Sequence, residues 1–140
     1  MTETEQRKRV VEEARTWLNT PYHHHADVKG AGVDCAMILV RIYCDLGILP
    51  PFDPRPYPRD WHMHRDAERY LGWLEQMASE VEHPQEGDIA VWRFGRCFSH
   101  GAVFVGDNRV IHSFMGQGVI LSDMGEHELA KRPVRFFSPW

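Results

Sequence analysis

The 140-residue sequence predicts an α+β fold, in which helices from the first half pack on an antiparallel sheet built by the second. Apolar residues recur at helical spacing as far as Val81, and from Gly87 onward the period changes to two. Gly, Asp and Asn punctuate the second half into short strands with a hairpin connection at Gly106-Asp107-Asn108. Within the first regime, the segment beginning at Cys35 is apolar almost all round, as suits a helix buried at the centre of the domain.

The elements follow in order. Glu5 to about Asn19 reads as an amphipathic helix with Val10, Val11, Ala14, Trp17 and Leu18 on one face. Thr20-Pro21 ends it, because the residue before proline disfavours the α region. The loop Tyr22-His23-His24-His25 comes next, then a Gly-rich turn (Lys29-Gly30-Ala31-Gly32) and Val33-Asp34-Cys35. Asp34 suits an N-cap, which starts the central helix at Cys35 and carries it to Asp45, with Gly47 as its left-handed cap. Pro50, Pro51, Pro54, Pro56 and Pro58 make a stiff extended loop inside the domain. A second amphipathic helix is expected from Asp66 to Val81, with Tyr70, Leu71, Leu74 and Met77 inward. Strands are expected at Asp88–Phe94, Phe98–Val105, Arg109–Phe114 and Gly118–Ser122, a helical turn at Glu126–Lys131 and a last strand at Val134–Phe137.

A chain of this length is expected to form one domain over residues 1–140. Its formal net charge of −4 argues against a nucleic-acid-binding surface. The three cysteines, Cys35, Cys44 and Cys97, are odd in number and lack CxxC spacing, which argues against a disulfide framework or structural zinc and for a reducing compartment. Cys44 cannot bridge to Cys35 along one helix, since nine residues of helix span about 13 Å. Met1 to Arg9 is charged and leads into no apolar signal core, so the expected location is cytoplasmic as synthesised. No run approaches the ~18 apolar residues of a membrane span. Metal binding through His23, His24, His25, His62 or His64 is disfavoured, because none shows a ligand spacing, and no cofactor is expected.

Cys35 is the natural nucleophile. At a helix N-terminus the partial positive charge favours thiolate over thiol. A nucleophilic cysteine needs a base, and the base needs an orienting partner. His100 and His112 sit inside consecutive apolar strands, where an imidazole must find hydrogen-bond partners. A three-residue loop at Gly106-Asp107-Asn108 pairs Val105 with Arg109 and Ala102 with His112. Both imidazoles then lie diagonally on one face, about 7–8 Å apart at the backbone. A two- or four-residue loop would put them on opposite faces.

Thr20-Pro21-Tyr22, Gly32-Val33-Asp34-Cys35, Ser99-His100-Gly101 and Ile111-His112, in that order, resemble the NlpC-type cell-wall cysteine peptidases. The resemblance runs from Thr20 to about Ser122 and implies a papain-like fold. It implies that Cys35 is the nucleophile, His100 the general base and acid, and His112 the residue holding the imidazole. It also places Tyr22, Asp34 and Ser99 around the substrate and the oxyanion, with the Cys35 backbone N–H helping to bind the latter. The implied substrate is the peptidoglycan stem peptide, cut between D-γ-glutamyl and a diamino acid. The implied branch is that of phage tails and transfer particles, with other tail proteins as partners. The alternative is an idle structural tail-assembly protein of the same fold. A permuted lipid acyltransferase is disfavoured, since there histidine precedes cysteine. Two departures stand out: the family's Asp-Cys-Ser-Gly is Asp34-Cys35-Ala36-Met37 here, and its Ser-His-Val-Gly is Ser99-His100-Gly101-Ala102. Met37 in place of glycine puts a large side chain next to the nucleophile, and whether it narrows the cleft is left open by the sequence.

Overall fold

The computed structural model describes residues 1–59 and 68–140. Helix α1 (Glu3–Thr16) buries Val10, Val11 and Ala14, and its first turn is capped by the Thr2 hydroxyl, which accepts from the Glu5 N–H. Asn19 takes a left-handed φ of 71°, so the chain leaves the helix three residues earlier than the apolar spacing suggests. A two-stranded ribbon, β1 (Asp27–Val28) and β2 (Gly32–Val33), precedes the central helix α2 (Met37–Asp45). Of the residues in α2, Met37, Ile38, Ile42 and Tyr43 are fully inaccessible. Gly47 follows α2 at φ +74°, as its left-handed stop.

Helix α3 is shorter than expected. It spans Arg69–Met77, and its C-cap Ala78 is already extended. Ser79–Val81 instead forms β3, paired with β8 (Val134–Ser138). The helical spacing of Ala78 and Val81 loses here to the free hydrogen-bonding edge that β8 offers. Asp66, Ala67, His62 and His64 lie outside the described residues.

The remaining strands are β4 (Ile89–Phe94), β5 (Cys97–Gly106), β6 (Arg109–Phe114) and β7 (Gly118–Asp123), with a four-residue helix α4 (His127–Ala130) before β8. They form one antiparallel sheet in the order β3-β8-β4-β5-β6-β7. Ile89, Val91, Val103, Val105, Ile111 and Phe137 belong to the core with α1, α2 and α3. Ala90, Trp92, Ala102, Phe104 and Val110 pack with Leu129 of α4. This is the period-two alternation of a sheet covered on both faces. No described helix is long and apolar enough to cross a membrane.

The β5–β6 hairpin differs from expectation in its loop and agrees in its register. Gly106 pairs with Arg109, so the turn has two residues, Asp107 and Asn108, both left-handed (φ 52° and 60°) as a type I′ turn requires. That turn alone would put the two histidines on opposite faces. A bulge between Phe104 and Gly106 takes up one extra residue, and Phe104 then pairs with Val110 and Val103 with Ile111. Continued by one residue, this register sets Ala102 opposite His112.

Candidate active site

The segment around Cys35 is held from below by one carboxylate. Asp34 is 1% exposed. Its Oδ1 accepts from the N–H groups of Ala36 (3.1 Å) and Met37 (2.8 Å), while Oδ2 accepts from the His25 N–H (2.8 Å) and the Tyr57 hydroxyl (2.6 Å). The Ile38 N–H reaches back to the Asp34 carbonyl, so the first turn of α2 is hydrogen-bonded from Asp34 even though regular helix starts at Met37. The expected helix start at Cys35 is corrected: Ala36 is the N-cap and Cys35 lies in the turn before it, while Asp34 still satisfies the free N–H groups of Ala36 and Met37 through its side chain. Asp34 does not reach the cavity described below, and it serves the helix turn, the His25 loop and the proline-rich loop instead.

Cys35 Sγ donates to the Ser99 carbonyl at 3.4 Å. Ser99 is the bulged residue of β5: Trp92 pairs with His100, but Arg93 pairs with Phe98. The bulge re-aims its carbonyl, and contact with the thiol comes through backbone, not hydroxyl. One residue on, His100 Nε2 lies 2.7 Å from His112 Nδ1, and His112 Nε2 lies 2.8 Å from Ser122 Oγ. All of these side chains are buried, with His100 at 9%, His112 at 1% and Ser122 at 3% exposure. Phe94 and Phe114 pack on the His100 ring at centroid distances of 5.1 and 5.4 Å.

Cys35, Ser99 and His100 open on one cavity of about 320 Å³, completed by Tyr22, Arg59, Phe94, Phe114 and Met115. Tyr22 is fixed there by a bridge to Val33, flanked by the Val33 N–H to the Pro21 carbonyl and the His23 N–H to the Val33 carbonyl. Arg59 and the aromatic wall carry no motif, and sequence reasoning misses them. Met37 does not narrow this cavity: it points into the core with no accessible surface. The family's Val position is Gly101 here, and a Cβ at Gly101 would stand 2.6 Å from Cζ of Tyr70. Tyr70 fills that space and donates its hydroxyl to the Cys35 carbonyl at 2.7 Å.

Burial changes the charge state expected from the helix N-terminus. Desolvation pushes the Cys35 thiol up, and the Asp34 charge adds to this, against weaker help from the N–H groups of Gly101 and Cys35 itself. Desolvation pushes His100 well below the ordinary histidine range, helped by His112 and Arg132. Burial also brings His112 down to about 4. The resting pair is therefore thiol and neutral imidazole, not thiolate and imidazolium. Tyr22 is also pushed up by burial, so it keeps its phenolic proton.

Of the three consecutive histidines, His23 is exposed, and His24 and His25 are packed structure. The His24 and His25 rings stack at 3.7 Å, and the His25 ring lies edge-on to Tyr57, with Nε2 2.8 Å from the Tyr57 carbonyl oxygen. Among the described residues no cluster of three His, Cys, Asp or Glu could hold a metal ion.

The model of the NlpC/P60 family matches residues 19–137. The chain belongs to the NlpC/P60 family. Three solved NlpC/P60 proteins illustrate the shared fold. The NlpC/p60 domain of the peptidoglycan hydrolase SagA is 18% identical with a TM-score of 0.63, covering 94% of this chain and 97% of that one. NlpC1 from Trichomonas vaginalis is 20% identical with a TM-score of 0.69, covering 98% of this chain and 44% of that one. The peptidoglycan hydrolase RipB from Mycobacterium tuberculosis is 14% identical with a TM-score of 0.63, covering 99% and 68%. This NlpC/P60 chain thus spans less than half of the Trichomonas protein and nearly all of the SagA domain. No curated protein matches it in sequence. These likenesses establish the papain-like α+β fold and do not single out the phage-tail branch.

Proposed function

We propose that this NlpC/P60 chain is a cysteine peptidase that cuts peptidoglycan stem peptides, at the bond between D-γ-glutamyl and a diamino acid. The reading is carried by the 2.7 Å bond between His100 Nε2 and His112 Nδ1, on the wall of the cavity into which Cys35 opens. Because Nε2 is taken by His112, Nδ1 is the nitrogen left for the thiol. As Sγ attacks the scissile carbonyl carbon, the thiol proton passes to His100 Nδ1 and the carbonyl π electrons move to oxygen. The Cys35 backbone N–H and the hydroxyl of Tyr22, which lines the same cavity, are the donors we assign to that developing oxyanion. Collapse expels the amine, which leaves with the proton from His100. Water, deprotonated by the same imidazole, then hydrolyses the thioester to a carboxylate and restores the thiol. Through its Nδ1, His112 accepts the N–H of His100 throughout and holds the ring in place.

Arg59 suits a substrate rich in carboxylates. Among the described residues it has no ion-pair partner, and no acidic residue lines the cavity. The idle structural reading is weaker, because it leaves two bonded, buried imidazoles beside a thiol without a task. Digesting purified peptidoglycan and weighing the fragments tests the proposal. Wild type is expected to release fragments with a new γ-glutamyl carboxylate and a new diamino-acid amine, whereas Cys35→Ala releases none. Equal cleavage by both proteins, or an untouched wall, overturns it.

A further inference from the structure

His100 and His112 do not end the hydrogen-bonded row. His112 Nε2 meets Ser122 Oγ at 2.8 Å, with Ser122 itself 3% exposed. The register explains the meeting: His112 pairs with Ile120 and Val110 with Ser122, so Ser122 is the diagonal neighbour of His112 on the same face.

We propose that Ser122 is a positioning residue that sets the tautomer of the base through His112. The inference rests on the reading of His100 as the base. For His100 to take a proton at Nδ1, its resting proton must sit on Nε2 and be donated to a bare Nδ1 of His112. The proton of His112 must then be on its own Nε2, buried and 2.8 Å from Ser122 Oγ, which accepts it. Remove that oxygen and the N–H of His112, at 1% exposure, loses the acceptor that the structure gives it. A buried N–H without a partner is costlier than a buried lone pair without one, so the His112 proton moves to Nδ1. It then faces His100 Nε2, which must become the acceptor, and the His100 proton is driven to Nδ1, the nitrogen that should be empty for the thiol. Ser122 thus acts two residues away from the sulfur, without touching substrate.

The test is ¹⁵N NMR of the histidine side chains at neutral pH, with turnover of peptidoglycan measured on the same samples. In wild type both His100 and His112 are expected to carry their protons on Nε2. In Ser122→Ala a substantial share of both moves to Nδ1, and kcat falls about tenfold to a hundredfold with KM within twofold. Ser122→Thr, which keeps the hydroxyl, restores both tautomers and most of the rate. A merely structural role lowers the melting temperature without moving the tautomers. Unchanged tautomers in folded Ser122→Ala, or a wild-type His100 protonated on Nδ1, overturns the inference. A wild type inactive on peptidoglycan, with the tautomers shifting as described, overturns the proposed function and not the relay.

Discussion

At the scale of residues, Cys35 and His100 are both surrounded by protein, and desolvation acts on them in opposite senses. It raises the thiol and lowers the imidazole, and each direction favours the neutral form. The consequence is visible in kcat/KM against pH. If His100 is the base, as proposed, its lowering below the ordinary 6.5 leaves it unprotonated and competent to a lower pH than a free histidine. A thiol raised above the ordinary 9.0 keeps the proton it must deliver to a higher pH. The expected profile is a broad plateau whose acid limb falls below 6.5. A narrow bell centred near neutrality would show that a preformed thiolate–imidazolium pair is the working state. His112 needs only to accept a hydrogen bond through one atom, which an amide oxygen also does. His112→Gln should keep a measurable fraction of the rate. His112→Ala should lose about 30- to 1,000-fold, roughly 2–4 kcal/mol of barrier. Parallel melting curves separate this from a loosened sheet, in which both variants would lose activity and stability together.

At the scale of elements, β5 carries the site because it is irregular twice. A bulge at Ser99 turns a carbonyl toward the thiol, and a bulge beyond Phe104 corrects the parity of a two-residue turn. The alternation of apolar residues and the count of residues between His100 and His112 made their shared face legible in the sequence. The device that achieves it was not, because a three-residue loop and a two-residue turn with one bulge consume the same number of residues. Ser122 was illegible for another reason: a single serine near a strand end carries no signal until the register with His112 is known. Helix α3 meets β5 at Gly101, where the Tyr70 ring occupies the place of a side chain. Gly101→Ala should displace Tyr70 from the Cys35 carbonyl and cost about 1–3 kcal/mol by overpacking, read from denaturant unfolding, with activity falling further than stability. Helix α1 is tied to the sheet by Arg7, 6% exposed, which donates to Asp88 Oδ1 at 2.8 Å and also to the Glu86 carbonyl and Ser138 Oγ. Arg7→Ala leaves Asp88 buried without its cation and should destabilise by about 3–5 kcal/mol.

At the scale of the whole molecule, two buried histidines held neutral make stability depend on pH. His112 is brought down to about 4 and His100 lies well below 6.5 in the folded state, so between those values the unfolded chain binds more protons than the folded one. Stability is then fully present above about 6.5 and lost as pH falls toward 4, at roughly 1.4 kcal/mol per pH unit for each histidine. Replacing His112 by Gln should flatten this slope, as urea unfolding at pH 7, 6 and 5 would show. The α+β order was legible from periodicity, and the candidate site from four short motifs. The apolar cavity wall and Arg59 were not, because they gather from separate loops and strands that only the fold brings together.

The central claim is that the Cys35 thiol is activated by the His100 imidazole. Limited alkylation with iodoacetamide, mapped by mass spectrometry on wild type and His100→Ala, tests it most directly. Cys35 should be modified ahead of the half-exposed Cys44 and the buried Cys97, with activity lost in step with Cys35 labelling. His100→Ala should slow Cys35 at least about tenfold, the effect of losing one well-placed base, and leave Cys44 unchanged. Labelling of Cys35 no faster than Cys44, or indifferent to the loss of His100, would contradict the account.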